Sequence, residues 1–183
     1  WASTPWLQRI NPFFFGTVTQ DHGTGLTDYL ACYALRLATS RQGSFRADVI
    51  KIREGWAGRP WLQTLHRLQG SWQATKWLSL GGNVRQGETL YYSSTEPFVG
   101  PGWSAGANAT VQPDENLRIA LNLYRTRMRH PVTDAEVFDV KTVNGQLTYQ
   151  FNKYAFLRGT GRYDSHRRRL LTDLLASFTY IPG

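Results

Sequence analysis

Cysteine is almost missing from this sequence. Cys32 stands alone among 183 residues, which excludes an intrachain disulfide and any cysteine cluster able to hold zinc or an iron–sulfur centre; no metal or cofactor is expected. Long apolar runs are missing too. The longest, Pro12 to Phe15 and Tyr29 to Leu35, fall far short of the roughly 20 residues of a membrane-spanning helix. This excludes helical spans only, because a barrel strand needs about 10 residues with every second one apolar and leaves no mark on a hydropathy scan. The negative mean hydropathy is therefore neutral. Acidic residues are also scarce. The 13 Asp and Glu face 21 Lys and Arg, a net charge of +8, and that excess points to an anionic partner: nucleic acid, acidic polysaccharide or lipopolysaccharide phosphate.

Large rings are abundant. Seven Trp, nine Tyr and nine Phe with only 19% charged residues exclude a solvated, disordered tail. The length suits one domain with a good-sized core. The chain opens at Trp1 without Met or a basic-plus-apolar leader and stops at Gly183 straight after a strand-like run; the expectation is one barrel segment over residues 1–183 of a processed or partial chain.

The dominant period is two. Between Lys141 and Phe151, Val143, Leu147, Tyr149 and Phe151 alternate with Thr142, Asn144, Gln146, Thr148 and Gln150, the pattern of a strand with one apolar and one polar face. The same alternation runs through Trp103–Gln112, Leu117–Leu123, Ala155–Asp164 and Leu170–Tyr180. Weaker versions occupy Trp61–Thr75 and Trp77–Tyr92, and Ile10–Gln20, Tyr29–Thr39 and Ser44–Glu54 complete about ten strands. Alternation is least clean in the N-terminal third.

The expected connections alternate in length. Asp21–Thr27, Gly55–Pro60, Ser93–Gly102 and Pro131–Phe138 read as long, Ser165–Arg169 as intermediate, and Arg41–Gly43, Lys76, Pro113–Asn116 and Asn152–Tyr154 as short. One rim of tight turns and one of longer loops is the habit of outer-membrane barrels. Trp77, Trp103, Tyr149, Phe151, Phe178 and Tyr180 fall near strand ends, where amphipathic rings meet a bilayer interface. The expected fold is all-β: an antiparallel up-and-down transmembrane β-barrel, either closed within about ten strands or part of a larger barrel. Both chain ends are expected on the periplasmic side.

Residues 80 to 183 also carry a family likeness. Gly100-Pro101-Gly102-Trp103, Gln112-Pro113-Asp114-Glu115-Asn116-Leu117, Val137-Phe138-Asp139-Val140-Lys141-Thr142, the run Leu147 to Arg158, and the ending from Leu174 to Gly183 resemble the C-terminal barrel of bacterial outer-membrane proteins that carry an N-terminal family-9-like carbohydrate-binding domain. The resemblance implies architecture and an outer-membrane location, with one more segment after Gly183. It supplies no catalytic motif. The sugar-binding domain lies outside the likeness, so glycan binding does not transfer.

Charge placement gives the candidate sites. Arg125, Arg127 and Arg129 continue the face begun by Leu117, Ile119, Leu121 and Leu123, so one stripe passes from apolar to cationic. The turn Arg167-Arg168-Arg169 is expected at the same rim, within about 10 Å at ordinary strand spacing. Guanidinium forks match phosphate oxygens in pairs, so these six arginines are expected to contact lipopolysaccharide or an acidic glycan. Arg158, Arg162, Asp164 and Asp173 on the polar face are expected to form a network filling a narrow lumen.

The resulting expectation is a porin-like or scaffold barrel in the bacterial outer membrane, in contact with lipid, lipopolysaccharide and other outer-membrane or periplasmic subunits. Two other classes compete. A surface-loop hydrolase would draw on Asp21-His22, Asp134, Glu136 and Asp164-Ser165-His166, which supply acid, base and nucleophile types at one rim; Asp and Ser are also common turn residues, so no enzyme is expected. A nucleic-acid binder would interleave rings and cations on one sheet face. Here they occupy successive depths along the strands, and no nucleic-acid partner is expected.

Overall fold

The computed structural model describes residues 6–23, 25–40 and 42–179. Ten strands follow one another in a meander: β1 (Leu7–Gln20), β2 (Thr27–Thr39), β3 (Gly43–Trp56), β4 (Arg59–Thr75), β5 (Leu78–Tyr91), β6 (Phe98–Val111), β7 (Leu117–Arg129), β8 (Glu136–Asn152), β9 (Ala155–Asp164) and β10 (Arg169–Phe178). All neighbours pair antiparallel in one sheet of order β1 to β10. The sheet is open: among the described residues β1 pairs only with β2, and β10 only with β9. Pro12 is tolerated in β1 because an edge strand has ladder bonds on one side only.

Two expected connections are corrected. Gly55 and Pro60 lie within the β3–β4 ladder, opposite one another, and the turn is only Ala57-Gly58, both at positive φ (52° and 72°). Such a two-residue turn carries the twist of the strands it joins. Gly100-Pro101-Gly102 belongs to β6, not to a loop. A Cβ at Gly100 would meet the carbonyl of Arg129, and one at Gly102 the Thr89 hydroxyl, so these glycines permit close strand approach. The rim bearing segments 21–26, 57–58, 92–97, 130–135 and 165–168 is called upper here; the lower rim bears 40–42, 76–77, 112–116 and 153–154. With the 57–58 turn so short, the regular alternation of loop lengths is lost.

Among the described residues the expected large core does not form. Leu68, Leu170 and Leu174 are 64–72% exposed, while the buried hydrophobic residues are Cys32, Ala34, Ile50, Leu65, Leu90 and Met128. Cys32, Ala34, Ile50 and Leu65 cluster on the same face as Asp48 and Arg67. No second layer covers that face among the described residues, so its burial comes from the sheet curling toward it. Contacts that skip a strand agree: Arg46 of β3 lies 4.7 Å over the ring of Phe13 in β1, and Trp56 of β3 meets Tyr92, next to β5, at 5.2 Å.

Candidate functional site

The apolar side chains form a band that crosses the sheet obliquely. One cross-strand rung joins Ile10, Leu37, Phe45, Gly70, Gly82, Ala107, Leu123, Val143, Tyr163 and Leu170. In β1 this rung is the bottom of the apolar stretch, which climbs through Phe14 to Val18; in β10 it is the top, from which the stretch descends through Leu174 to Phe178. The band therefore slips by its own length across the sheet. Eight residues at about 3.4 Å, over nine strand steps of about 4.8 Å, incline the strands by about 30° and make the band about 23 Å high.

Charge begins abruptly above the band. In β3, Val49 is followed on this face by Lys51 and Arg53; in β7, Leu123 is followed by Arg125, Arg127 and Arg129. Each of the three β7 arginines has its own carboxylate. Arg125 grips Asp139 with both fork atoms, Nε to Oδ1 at 2.8 Å and Nη2 to Oδ2. Arg127 reaches Glu136 at 2.8 Å and Arg129 reaches Asp134 at 2.8 Å. Arg125 also lies over the Trp103 ring at 5.2 Å.

The 165–168 turn is tied to the same region through β8. Ser165 donates its N–H to the Lys141 carbonyl at 2.9 Å, and its hydroxyl accepts from the Lys141 N–H at 2.8 Å. Lys141 stands opposite Arg125. The structure thus sets the turn that carries Arg167 and Arg168, with Arg169 opening β10, next to the Arg125–Lys141 rung. No ion pair involves the turn arginines or Lys141 among the described residues.

Tyr149, Phe151 and Phe178 lie on the apolar face at the lower margin, and Trp77 is in the β4–β5 turn of the same rim; Tyr149 and Phe151 meet edge to face at 4.9 Å. Trp103 marks the upper margin, in register with Arg127. Tyr180 lies outside the described residues.

Arg158, Arg162, Asp164 and Asp173 do share the polar face, but no hydrogen bond or ion pair joins them among the described residues. Asp164 instead accepts from the His166 and Arg167 amides at 2.9 and 3.2 Å, and Arg158 lies over Phe156 at 5.4 Å. The ion pairs of this face are elsewhere. Asp48, its side chain wholly buried, is bonded by Arg46 and by Arg67, the latter at 2.6 Å, and Cys32 Sγ approaches it at 3.7 Å. Sequence reasoning missed this cluster, although the placement of the Ala57-Gly58 turn sets Asp48 opposite Arg67.

In the upper loops, Tyr92 shares its hydroxyl proton between the two Glu54 oxygens at 3.0 and 2.8 Å. Partial desolvation and that bond push the phenol up to about 12. The proposed hydrolase groups are engaged in turns and ion pairs: Ser165 with Lys141, Asp134 and Glu136 with arginines, Asp21 with the Gly23 N–H at 2.8 Å. His130 Nδ1 accepts from the Val132 and Thr133 amides. No group of metal-ligating side chains forms among the described residues.

No protein-family model, curated protein or solved structure matches this chain.

Proposed function

We propose that the chain forms part of the wall of a bacterial outer-membrane β-barrel, acting as a porin-like channel or scaffold. The inclined apolar band carries this reading. Strands of a membrane barrel tilt by about 35–45° and present an apolar belt about 25 Å tall, and a slab of hydrocarbon cuts tilted strands along a line that slips steadily through the register. A soluble sheet has no reason to keep both margins of its apolar face parallel over ten strands. The aromatic side chains at the margins and the charges beyond them fit the same geometry.

The open edges support membership of a larger barrel, because unpaired strand edges are not tolerated in lipid. Further strands of a longer chain, or a partner subunit, would complete it. The upper rim is assigned to lipopolysaccharide phosphates or acidic glycan, through Arg167, Arg168, Arg169 and Lys141 first, since Arg125, Arg127 and Arg129 already hold carboxylates. Refolding the protein with liposomes tests the location: resistance to alkaline extraction and a heat-dependent change in electrophoretic mobility are expected, and a protein left in the aqueous phase would refute the membrane reading. Charge reversal of the three turn arginines tests the partner, with a fall in lipopolysaccharide retention of about tenfold expected from three lost phosphate contacts; unchanged retention rejects it.

A further inference from the structure

Four arginines stand on adjacent strands of the polar face. Arg36 of β2 is directly opposite Arg46 of β3, and Arg67 of β4 directly opposite Arg85 of β5. Like charges placed opposite one another on neighbouring strands are destabilising. Among the described residues the carboxylate that ion-pairs with them is Asp48, between Arg46 and Arg67. Arg36 and Arg85 are exposed and have no ion pair among the described residues; Arg36 Nε donates to the Ser44 hydroxyl at 3.2 Å. Four guanidinium groups thus share one carboxylate.

Most other acids on this face point their oxygens elsewhere. Asp28 accepts from the Gly55 N–H at 2.7 Å, Glu54 holds the Tyr92 hydroxyl, and Asp164 caps the turn after β9. The arginines also follow a path. Measured against the inclined apolar band on the opposite face, Arg36 lies below the band's midline and Arg85 above it, and the row climbs by about 13 Å through the hydrocarbon depth. Successive positions are close enough for an anion to remain near one guanidinium while approaching the next.

We infer that this arginine row is a conduction path for small inorganic anions, chloride and phosphate, along the inner wall. The inference rests on the membrane-barrel reading and goes beyond it by assigning the lumen a charge selectivity. Fixed cations along a wall concentrate anions and repel potassium: Arg36 and Arg85, both exposed, stand at the two ends of the row, and Arg46 and Arg67 keep about a quarter of their side chains exposed beside the buried Asp48. Asp48 holds two of the arginines in place without neutralising the row.

The test is reversal potential in planar bilayers, with the full-length protein reconstituted and a KCl gradient across the membrane. Wild type is expected to prefer chloride, and the Arg36→Gln/Arg85→Gln pair, which breaks no ion pair, is expected to lower the chloride-to-potassium permeability ratio about threefold. Inorganic phosphate on one side should reduce chloride current in wild type and less so in the pair. Equal selectivity of wild type and variant, a potassium preference, or protein that inserts without conducting would each overturn the inference while leaving the membrane location intact. Protein that fails to insert removes both readings.

Discussion

Arg125 stands opposite Lys141 in the β7–β8 ladder, yet its guanidinium reaches diagonally to Asp139, the residue opposite Arg127. The diagonal keeps two cations, Arg125 and Lys141, from facing each other without a counter-charge. It also makes the rim less cationic than its arginines alone imply.

Releasing those arginines should therefore strengthen anion capture. The Asp134→Asn/Glu136→Gln/Asp139→Asn triple variant is expected to bind lipopolysaccharide or inorganic polyphosphate about tenfold more tightly at low salt, with a steeper loss of binding as salt rises. Retention on a lipopolysaccharide column across a salt series measures it. Unchanged retention would mean that the β7 arginines do not meet the ligand.

Replacing Asp48 has a different signature. Asp48→Ala leaves Arg46 and Arg67 without their shared carboxylate on a curled, crowded face. The expected loss is about 2 kcal/mol, below the usual cost of breaking a fully buried pair because both arginines keep about a quarter of their side chains exposed. Urea unfolding in liposomes reads it.

Gly87 has φ of 145°, and a Cβ there would strike the Thr64 carbonyl. Gly87→Ala is expected to cost about 2 kcal/mol or more, because both the backbone conformation and the β4–β5 approach must change. The same equilibrium unfolding measurement checks it.

Depth along β7 offers a direct probe of the band. Leu121→Arg, near its centre, is expected to cost about 2–4 kcal/mol of folding into lipid, and Leu117→Arg, at its margin, about 1 kcal/mol or less. Equal effects at the two positions would argue against a hydrocarbon slab.

Tyr92 gives a pH signature. Its folded phenol ionises near 12 against an ordinary 10, so the folded state holds this proton more tightly than the unfolded chain. The associated stability is complete below pH 10 and is lost as pH rises through 12. Ultraviolet titration should show a tyrosinate forming near pH 12 that disappears in Tyr92→Phe.

The strands were legible because their period is local. Val143 to Phe151 alternates whatever its neighbours do, and β9 begins and ends where the alternation does. In β1 to β4 the pattern blurred for a physical reason: Phe13, Phe15, Ile50 and Leu65 occupy the polar face, so neither parity is cleanly apolar. The three rim ion pairs were partly legible, since Arg125, Arg127 and Arg129 are followed across one hairpin by Asp134, Glu136 and Asp139. Reading Gly55–Pro60 as a long loop hid the Asp48–Arg67 pairing. Arg158, Arg162, Asp164 and Asp173, expected to form a lumen network, share a face but are not bonded to one another among the described residues, since a shared face does not by itself bring side chains within reach.

Alternating side chains by themselves determined about ten amphipathic strands and their antiparallel succession, because these depend on neighbours along the chain, and composition alone set the scarcity of acid against base. Only the tertiary structure decided the register. Register turns separate apolar stripes into one inclined band, pairs the rim arginines with carboxylates, and lines up Arg36, Arg46, Arg67 and Arg85, since each of these relations is set by hydrogen bonding between strands rather than by spacing within one.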